Sequence, residues 1–278
     1  MPWNPIFTIC GRTQVLNSSR SGPIKAKGSV YYKKMKIFQS PAPALPGRSR
    51  NSDEIPLVDF HAHILPGTDH GSPGLDHSLR QLGCAGAAGI KTIVATPHYY
   101  ISEGVSIPDF IGKRNKAAED LKRNYAGSVE IIPAAEVHLS YDAGELEHLP
   151  QLCIGGTDYI LIEMPYGSWD AWVFDVLLTV SSVRCLKPVI AHIDRYDAES
   201  LQKLLPFGFI LQVNADSLCS AGIRRRLMPY IGSGDIALLG SDVHDKPEYS
   251  YERYTRALKL LGRHAGPMMS KASLILGK

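Results

Sequence analysis

The chain has 278 residues, 44% of them hydrophobic and 21% charged, with a formal net charge of +3. This is the composition of an ordinary globular protein with apolar residues enough for one barrel-sized domain or two small ones. So small a charge excess argues against nucleic acid or an anionic membrane as partner, and no apolar run is long enough to insert in a bilayer.

Residues 1–50 show neither helical nor strand periodicity and are rich in Ser, Pro, Gly and basic residues. They are predicted to be a disordered N-terminal extension. Their abrupt change of composition also suggests an over-extended start, with initiation nearer Met35. The opening MPWNPIFTICGRTQ lacks the basic-then-apolar pattern of a secretory signal. The five cysteines are scattered and show no CxxC, which fits reduced thiols and a cytoplasmic location.

From Leu57 onward short β-type runs alternate with helical stretches. The runs begin LVDFHAHIL at Leu57, KTIVATP at Lys91, VEIIPAAEV at Val129 and YILIEMP at Tyr159. They continue with PVIAHI at Pro188, FILQVNA at Phe209 and IALLGSDV at Ile236. Helix-like stretches such as SLRQLGCAGAAG, FIGKRNKAAEDLKRN and WVFDVLLTVSSVRCL separate them. Near-continuous apolar strands between helices predict a parallel α/β sheet. Seven such units without a nucleotide-binding glycine motif predict a (β/α)7 TIM-like barrel over residues 51–278.

The histidines and carboxylates fall at the ends of these runs. His61 and His63 are two apart, so alternation puts them on one face. His98 follows the second run, Glu136 and His138 end the third, Glu163 ends the fourth, His192 ends the fifth, and Asp242 and His244 end the seventh. In a parallel barrel these ends share one rim, so residues distant in sequence are predicted to converge. Imidazoles and carboxylates without thiolate suit Mn²⁺, Fe²⁺, Zn²⁺ or Mg²⁺, and clustered metals can clamp a phosphoryl group. A single buried histidine is ordinarily a core residue; so many buried polar groups without partners would be costly, which favours ligation. By the same weighing His138 is read as structural, and His77, His148 and His264 as surface residues.

LVDFHAHILPGTDHG, ATPH, AAEVHL, YILIEMP, AHIDRY, LQVNADS and GSDVH, taken together, resemble the ordered motifs of the polymerase-and-histidinol-phosphatase (PHP) superfamily. Within it the chain is most similar to the bacterial manganese-dependent protein-tyrosine phosphatases of capsule and exopolysaccharide regulation. The resemblance covers about residues 55–278. It implies a distorted seven-stranded barrel, three metals, and removal of phosphate from the tail of a tyrosine autokinase. It implies that His61, His63 and Asp242 hold one metal and that Glu136 bridges to a second completed by Glu163 and His192. His98 and His244 would hold the third, with His70 standing where the family has a carboxylate and Asp69 as the fallback. Catalytic roles would fall to Glu136, Asp242 and Arg195, the last gripping substrate phosphate after the fifth-strand histidine. A second phosphate-binding arginine has no clear match; Lys246 and Arg253 are the nearby candidates.

Other readings stand beside this one. Cys219 to Arg225 fits CxxGxxR, the phosphate loop of thiol-dependent phosphatases, although Leu218 and Arg226 replace its usual flanks. A histidinol-phosphate phosphatase, another PHP phosphoesterase, or a non-catalytic barrel that binds phosphoprotein would share the metal ligands. The sequence leaves the oligomeric state open.

Overall fold

In the computed structural model the described residues are 55–278; the expectation for residues 1–50 lies outside them. Among the described residues there are nine strands: β1 (Leu57–Ala62), β2 (Ile90–Ala95), β3 (His98–Tyr99), β4 (Glu130–Pro133), β5 (Glu136–His138), β6 (Tyr159–Glu163), β7 (Lys187–Ile190), β8 (Ile210–Asn214) and β9 (Ile236–Gly240). Among the same residues there are eight α-helices: α1 (Leu75–Ala87), α2 (Ile107–Asn124), α3 (Ala171–Leu178), α4 (Ala198–Leu204), α5 (Ala215–Leu218), α6 (Ala221–Ser233), α7 (Pro247–Leu261) and α8 (Ala265–Ile275).

The fold is mixed α/β, and every strand pair is parallel. Its strands form two sheets, ordered β1-β2-β4 and β3-β5-β6-β7-β8-β9, rather than one. The second and third sequence runs each divide in two. Proline explains the breaks: Pro97 separates β2 from β3 and Pro133 ends β4, and neither has an N–H for the ladder. Single hydrogen bonds carry across the gaps, from Thr96 N to Ala62 O at 2.9 Å, Ala134 N to Ala95 O at 2.8 Å and Glu136 N to Pro97 O at 3.0 Å.

The seam between β1 and β9 is built differently. Backbone pairs join only its C-terminal end, Asp242 N to His61 O at 2.8 Å and His63 N to Val243 O at 3.1 Å. Below it, side chains replace the ladder. Asp59 accepts from Ser241 N at 2.7 Å and from the Tyr251 hydroxyl at 3.1 Å. Tyr254 donates to Val58 O at 2.6 Å, and Met269 Sδ takes the Val58 N–H at 3.3 Å. Burial pushes the Asp59 carboxyl up to about 6, against the pull of those donors.

The core follows from the strand text. Phe60, Ile93, Val94, Ile160, Leu161, Val189, Val213 and Leu238 are buried, each contributing about 1.5–3 kcal/mol over exposure. The helices pack against the sheets. In α2 the Ser106 side chain caps the Asp109 N–H at 3.2 Å, and Asp109 and Lys122/Arg123 suit the helix dipole at its two ends. Arg114, buried on α2, donates to Ala134 O at 3.3 Å and so props the joint between β4 and β5. Among the described residues no helix is long and apolar enough to cross a membrane.

Candidate metal centre

Every strand pair is parallel, so within each sheet the C-terminal ends point the same way, and the expected ligands gather beyond them. Parallel pairing sets His98 beside Glu136, and His138 beside Glu163. Only His61, His98, Glu136 and Glu163 lie within strands. His63, His192, Asp242 and His244 sit one to four residues past a strand end, beyond the positions that alternation assigns. Two of them reach inward through left-handed backbone, His192 at φ 30° and Asp242 at φ 52°. That conformation is costly for a residue with a side chain, and neighbouring packing must hold it there.

Glu136 is the hub. It is fully buried, and its Oε2 lies 3.1 Å from His61 Nε2, 3.3 Å from His63 Nε2 and 3.1 Å from His98 Nδ1. Its Oε1 lies 2.7 Å from His192 Nε2. Asp242 Oδ1 is 3.6 Å from His61 Nε2 and 3.3 Å from His63 Nε2. Glu163 stands 3.6 Å from His192 and 3.9 Å from His98. His244 joins His63 and His98 in a third grouping of imidazoles. His70 is exposed, stacked between His98 and His244 with ring centroids 4.8 Å from each.

The chemistry of this donor set suits cations. His98 Nδ1 is buried without a hydrogen-bond partner, although Glu136 Oε2 lies 3.1 Å away. A buried ring nitrogen left so is costly unless something binds it. Burial, with the adjacent Glu136 charge, pushes Glu163 up to about 7. Burial and the neighbouring His63 push His98 down to about 3, leaving its ring free of a second proton. Burial opposes charge on Glu136 too, yet His61 and His192 hold its carboxyl well below the usual range. In this structure imidazole protons hold these oxygens and nitrogens together, at the places where a cation would stand.

Asp69, the fallback ligand, is otherwise engaged. Its Oδ2 meets His63 Nδ1 at 2.7 Å and the His98 N–H at 3.0 Å, and its Oδ1 takes the Gly71 N–H at 2.9 Å. It thereby turns His63 Nε2 toward the cluster, the usual arrangement behind a metal-bound imidazole. The expectation that His77 is a surface residue is corrected: it is half-buried, and its Nε2 lies 3.0 Å from His244 O. Gln81, also on α1, donates to the same carbonyl at 2.5 Å and to His63 O at 3.3 Å. These backbone anchors escape sequence reading because neither residue type at that position carries a metal signature.

Arg195 is exposed at the rim. Its guanidinium bonds Asp242 Oδ2 and comes within 3.9 Å of Glu163 Oε1. Arg253, considered above as a second phosphate ligand, is instead spent on Asp216 at 2.5 Å; Lys246 is exposed at the start of α7. Tyr99 is buried and donates to Val105 O at 3.0 Å, so it is a packing residue. Tyr100 stacks on His98 at 5.2 Å and faces His138 at 5.4 Å.

The CxxGxxR stretch forms no phosphate cradle. Residues from Ala221 onward are the start of helix α6, and Arg225 is exposed. Cys219 Sγ lies near Ala215 O at 3.7 Å and Arg253 O at 3.5 Å, and burial pushes its thiol up, away from a thiolate. The thiol-dependent alternative therefore loses its nucleophile and its anion loop together.

Comparison with known proteins agrees with this geometry. The family described as capsular polysaccharide synthesis, CpsB/CapC, matches residues 57–274. The tyrosine-protein phosphatase YwqE of Bacillus subtilis is 28% identical over 60% of this chain and 67% of its own. The tyrosine-protein phosphatase CpsB of Streptococcus agalactiae is 24% identical over 71% of this chain and 88% of its own. A solved structure described as one of YwqE from B. subtilis and CpsB from Streptococcus pneumoniae, unique metal-dependent tyrosine phosphatases, superposes with a TM-score of 0.66. It shares 22% identity and covers 80% of this chain and 94% of that one.

Proposed function

The chain belongs to the CpsB/CapC capsular polysaccharide synthesis family, and from that premise we propose that it is a metal-dependent protein-tyrosine phosphatase. The observation that carries the reading is Glu136 Oε2, buried within 3.3 Å of His61, His63 and His98, beside an unpartnered His98 nitrogen. The two sheets read as one distorted seven-unit barrel. The hydrogen bonds across the proline breaks and across the β1–β9 seam support that closure. His61, His63 and Asp242 would hold one cation, with Glu136 shared with a second that Glu163 and His192 complete. His98 and His244 would hold a third, with exposed His70 at its edge. Manganese is the metal we favour.

Metals held there would supply positive charge and make water more acidic. The chain's own groups do the rest. Arg195 leaves Asp242 for the phosphoryl oxygens, gripping them with its planar fork and neutralising charge as it builds. Tyr100 offers an aromatic flank beside His98 for the phenol ring of the substrate. The departing phenolate, with a solution pKa near ~10, leaves without a strong general acid. The substrate is phosphotyrosine on protein, read as the tail of a tyrosine autokinase that governs capsule synthesis, and the setting is the cytoplasm.

Hydrolysis of a phosphotyrosine peptide, a phosphoserine peptide and histidinol phosphate, with and without Mn²⁺, tests this. The phosphotyrosine peptide should be hydrolysed fastest, and only with metal. Preference for histidinol phosphate would move the assignment to that phosphatase. Absence of any turnover, p-nitrophenyl phosphate included, would leave a binding barrel.

A further inference from the structure

Strand β8 places two uncharged polar side chains, Gln212 and Asn214, against the cluster. They are two apart, fully and nearly fully buried, and absent from the ligand set. Buried amides need a reason, since every polar atom must find a partner there. Here each partner fixes the next. Gln212 Oε1 accepts the backbone N–H of His192 at 2.6 Å. A backbone N–H can only donate, so this contact decides which end of the Gln212 amide is oxygen. The same oxygen lies 3.2 Å from His61 Nδ1, so His61 must carry its proton on Nδ1 and donate. His61 Nε2 is then the nitrogen turned to Glu136 Oε2, at 3.1 Å, and the one that a cation between them would take.

The other end of the amide continues the chain. Gln212 Nε2 donates to Val213 O at 2.8 Å and to Asn214 Oδ1 at 3.0 Å. Asn214 must then present its NH₂ outward, and Nδ2 donates to Asp242 Oδ2 at 2.9 Å. Asp242 Oδ1 is left to face His61 and His63. Asn214 is itself fixed, because its N–H donates to Asp194 Oδ1 at 2.8 Å. Gly240 leaves room for the relay: a Cβ there would lie 2.7 Å from Gln212 Nε2.

We propose that Gln212 and Asn214 form a positioning relay that sets the ring tautomer of His61, the backbone of His192 and the cation-facing oxygen of Asp242. The relay has a second consequence. Arg195 and Asn214 donate to the same oxygen of Asp242. When Arg195 moves to the phosphoryl group, Asn214 keeps Asp242 from rotating. The inference rests on the metal reading of the cluster given above.

The test uses the full chain and Mn²⁺ as probe. Gln212→Met and Asn214→Leu keep side-chain volume and remove the hydrogen bonds. Each variant is stripped with chelator, its melting temperature recorded, and Mn²⁺ affinity measured by titration calorimetry. Loss of the relay should weaken Mn²⁺ binding about 10- to 100-fold, as removal of such outer partners does elsewhere. In the Zn²⁺-loaded protein, Gln212→Met should also lose the slowly exchanging His61 Nδ1–H resonance. Affinity within twofold of the parent for a folded variant overturns the relay, even where the metal-free melting temperature falls. If Gln212→Met does not fold, Asn214→Leu decides by the same criterion. If the parent protein binds no Mn²⁺, the metal reading itself fails and the relay with it, a result distinct from equal binding by parent and variants.

Discussion

Replacing Gly240 by alanine should damage the centre from a position that carries no functional group. The added methyl would lie 2.5 Å from His61 Cβ, 2.7 Å from Gln212 Nε2 and 3.1 Å from His61 N. Carbon atoms rest about 3.5–4.0 Å apart, so the overlap with His61 is about 1 Å. The neighbour cannot yield cheaply, because β1 is held by β2 on one side and by the β9 seam on the other. Overpacking of this kind costs about 1–3 kcal/mol. At roughly 2–4 °C per kcal/mol for a domain of this size, the melting temperature should fall by about 2–12 °C. Mn²⁺ affinity should fall as well, since His61 is the displaced group. Gly222→Ala is the control: it lies in α6 with no heavy atom within 4 Å of the added methyl, and should be neutral or stabilise by up to about 1 kcal/mol. Scanning calorimetry of metal-stripped protein, followed by Mn²⁺ titration, reads both effects. If Gly240→Ala melts and binds Mn²⁺ as Gly222→Ala does, the packing argument around His61 is wrong.

Arg195→Ala should lower kcat/KM for a phosphotyrosine peptide by about 10- to 150-fold, the loss of one charge-assisted hydrogen bond of about 1.5–3 kcal/mol. Mn²⁺ binding should survive, because Asp242 keeps its bond from Asn214; unchanged kinetics would remove Arg195 from the substrate site. Cys219→Ser should leave turnover intact, and its loss in a folded variant would restore the thiol mechanism. Free Mn²⁺ at 100 times its dissociation constant should stabilise the protein by about 2.7 kcal/mol, a rise of about 5–11 °C by calorimetry. An unmoved transition would mean that the cluster takes up no cation.

Much of the site can be read from residue type and spacing. His61, Glu136 and Glu163 fall on strands whose apolar text is nearly unbroken, so their polarity stands out against it. The alternation rule for His61 and His63 reaches the right contact by a partly wrong path. β1 ends at Ala62, and His63 converges from the following turn with its Nε2 3.1 Å from that of His61. His192 and Asp242 depend on left-handed backbone, which neither residue type announces. Gln81, Gln212 and Asn214 do not stand out as site residues by type, because here they act through the groups they orient. The division of two strand runs was legible in principle, since Pro97 and Pro133 cannot donate to a ladder. The side-chain seam between β1 and β9 was not, because it joins Asp59 and Val58 to Tyr251, Tyr254 and Met269, about two hundred residues away.

Anomalous diffraction at the manganese edge, from crystals grown or soaked in Mn²⁺, tests the central claim most directly. The expected map has peaks among His61, His63, Glu136 and Asp242, and further density bounded by Glu163, His192, His98 and His244. A map with no peak there, and with Glu136 still in direct contact with the four imidazoles, would contradict it.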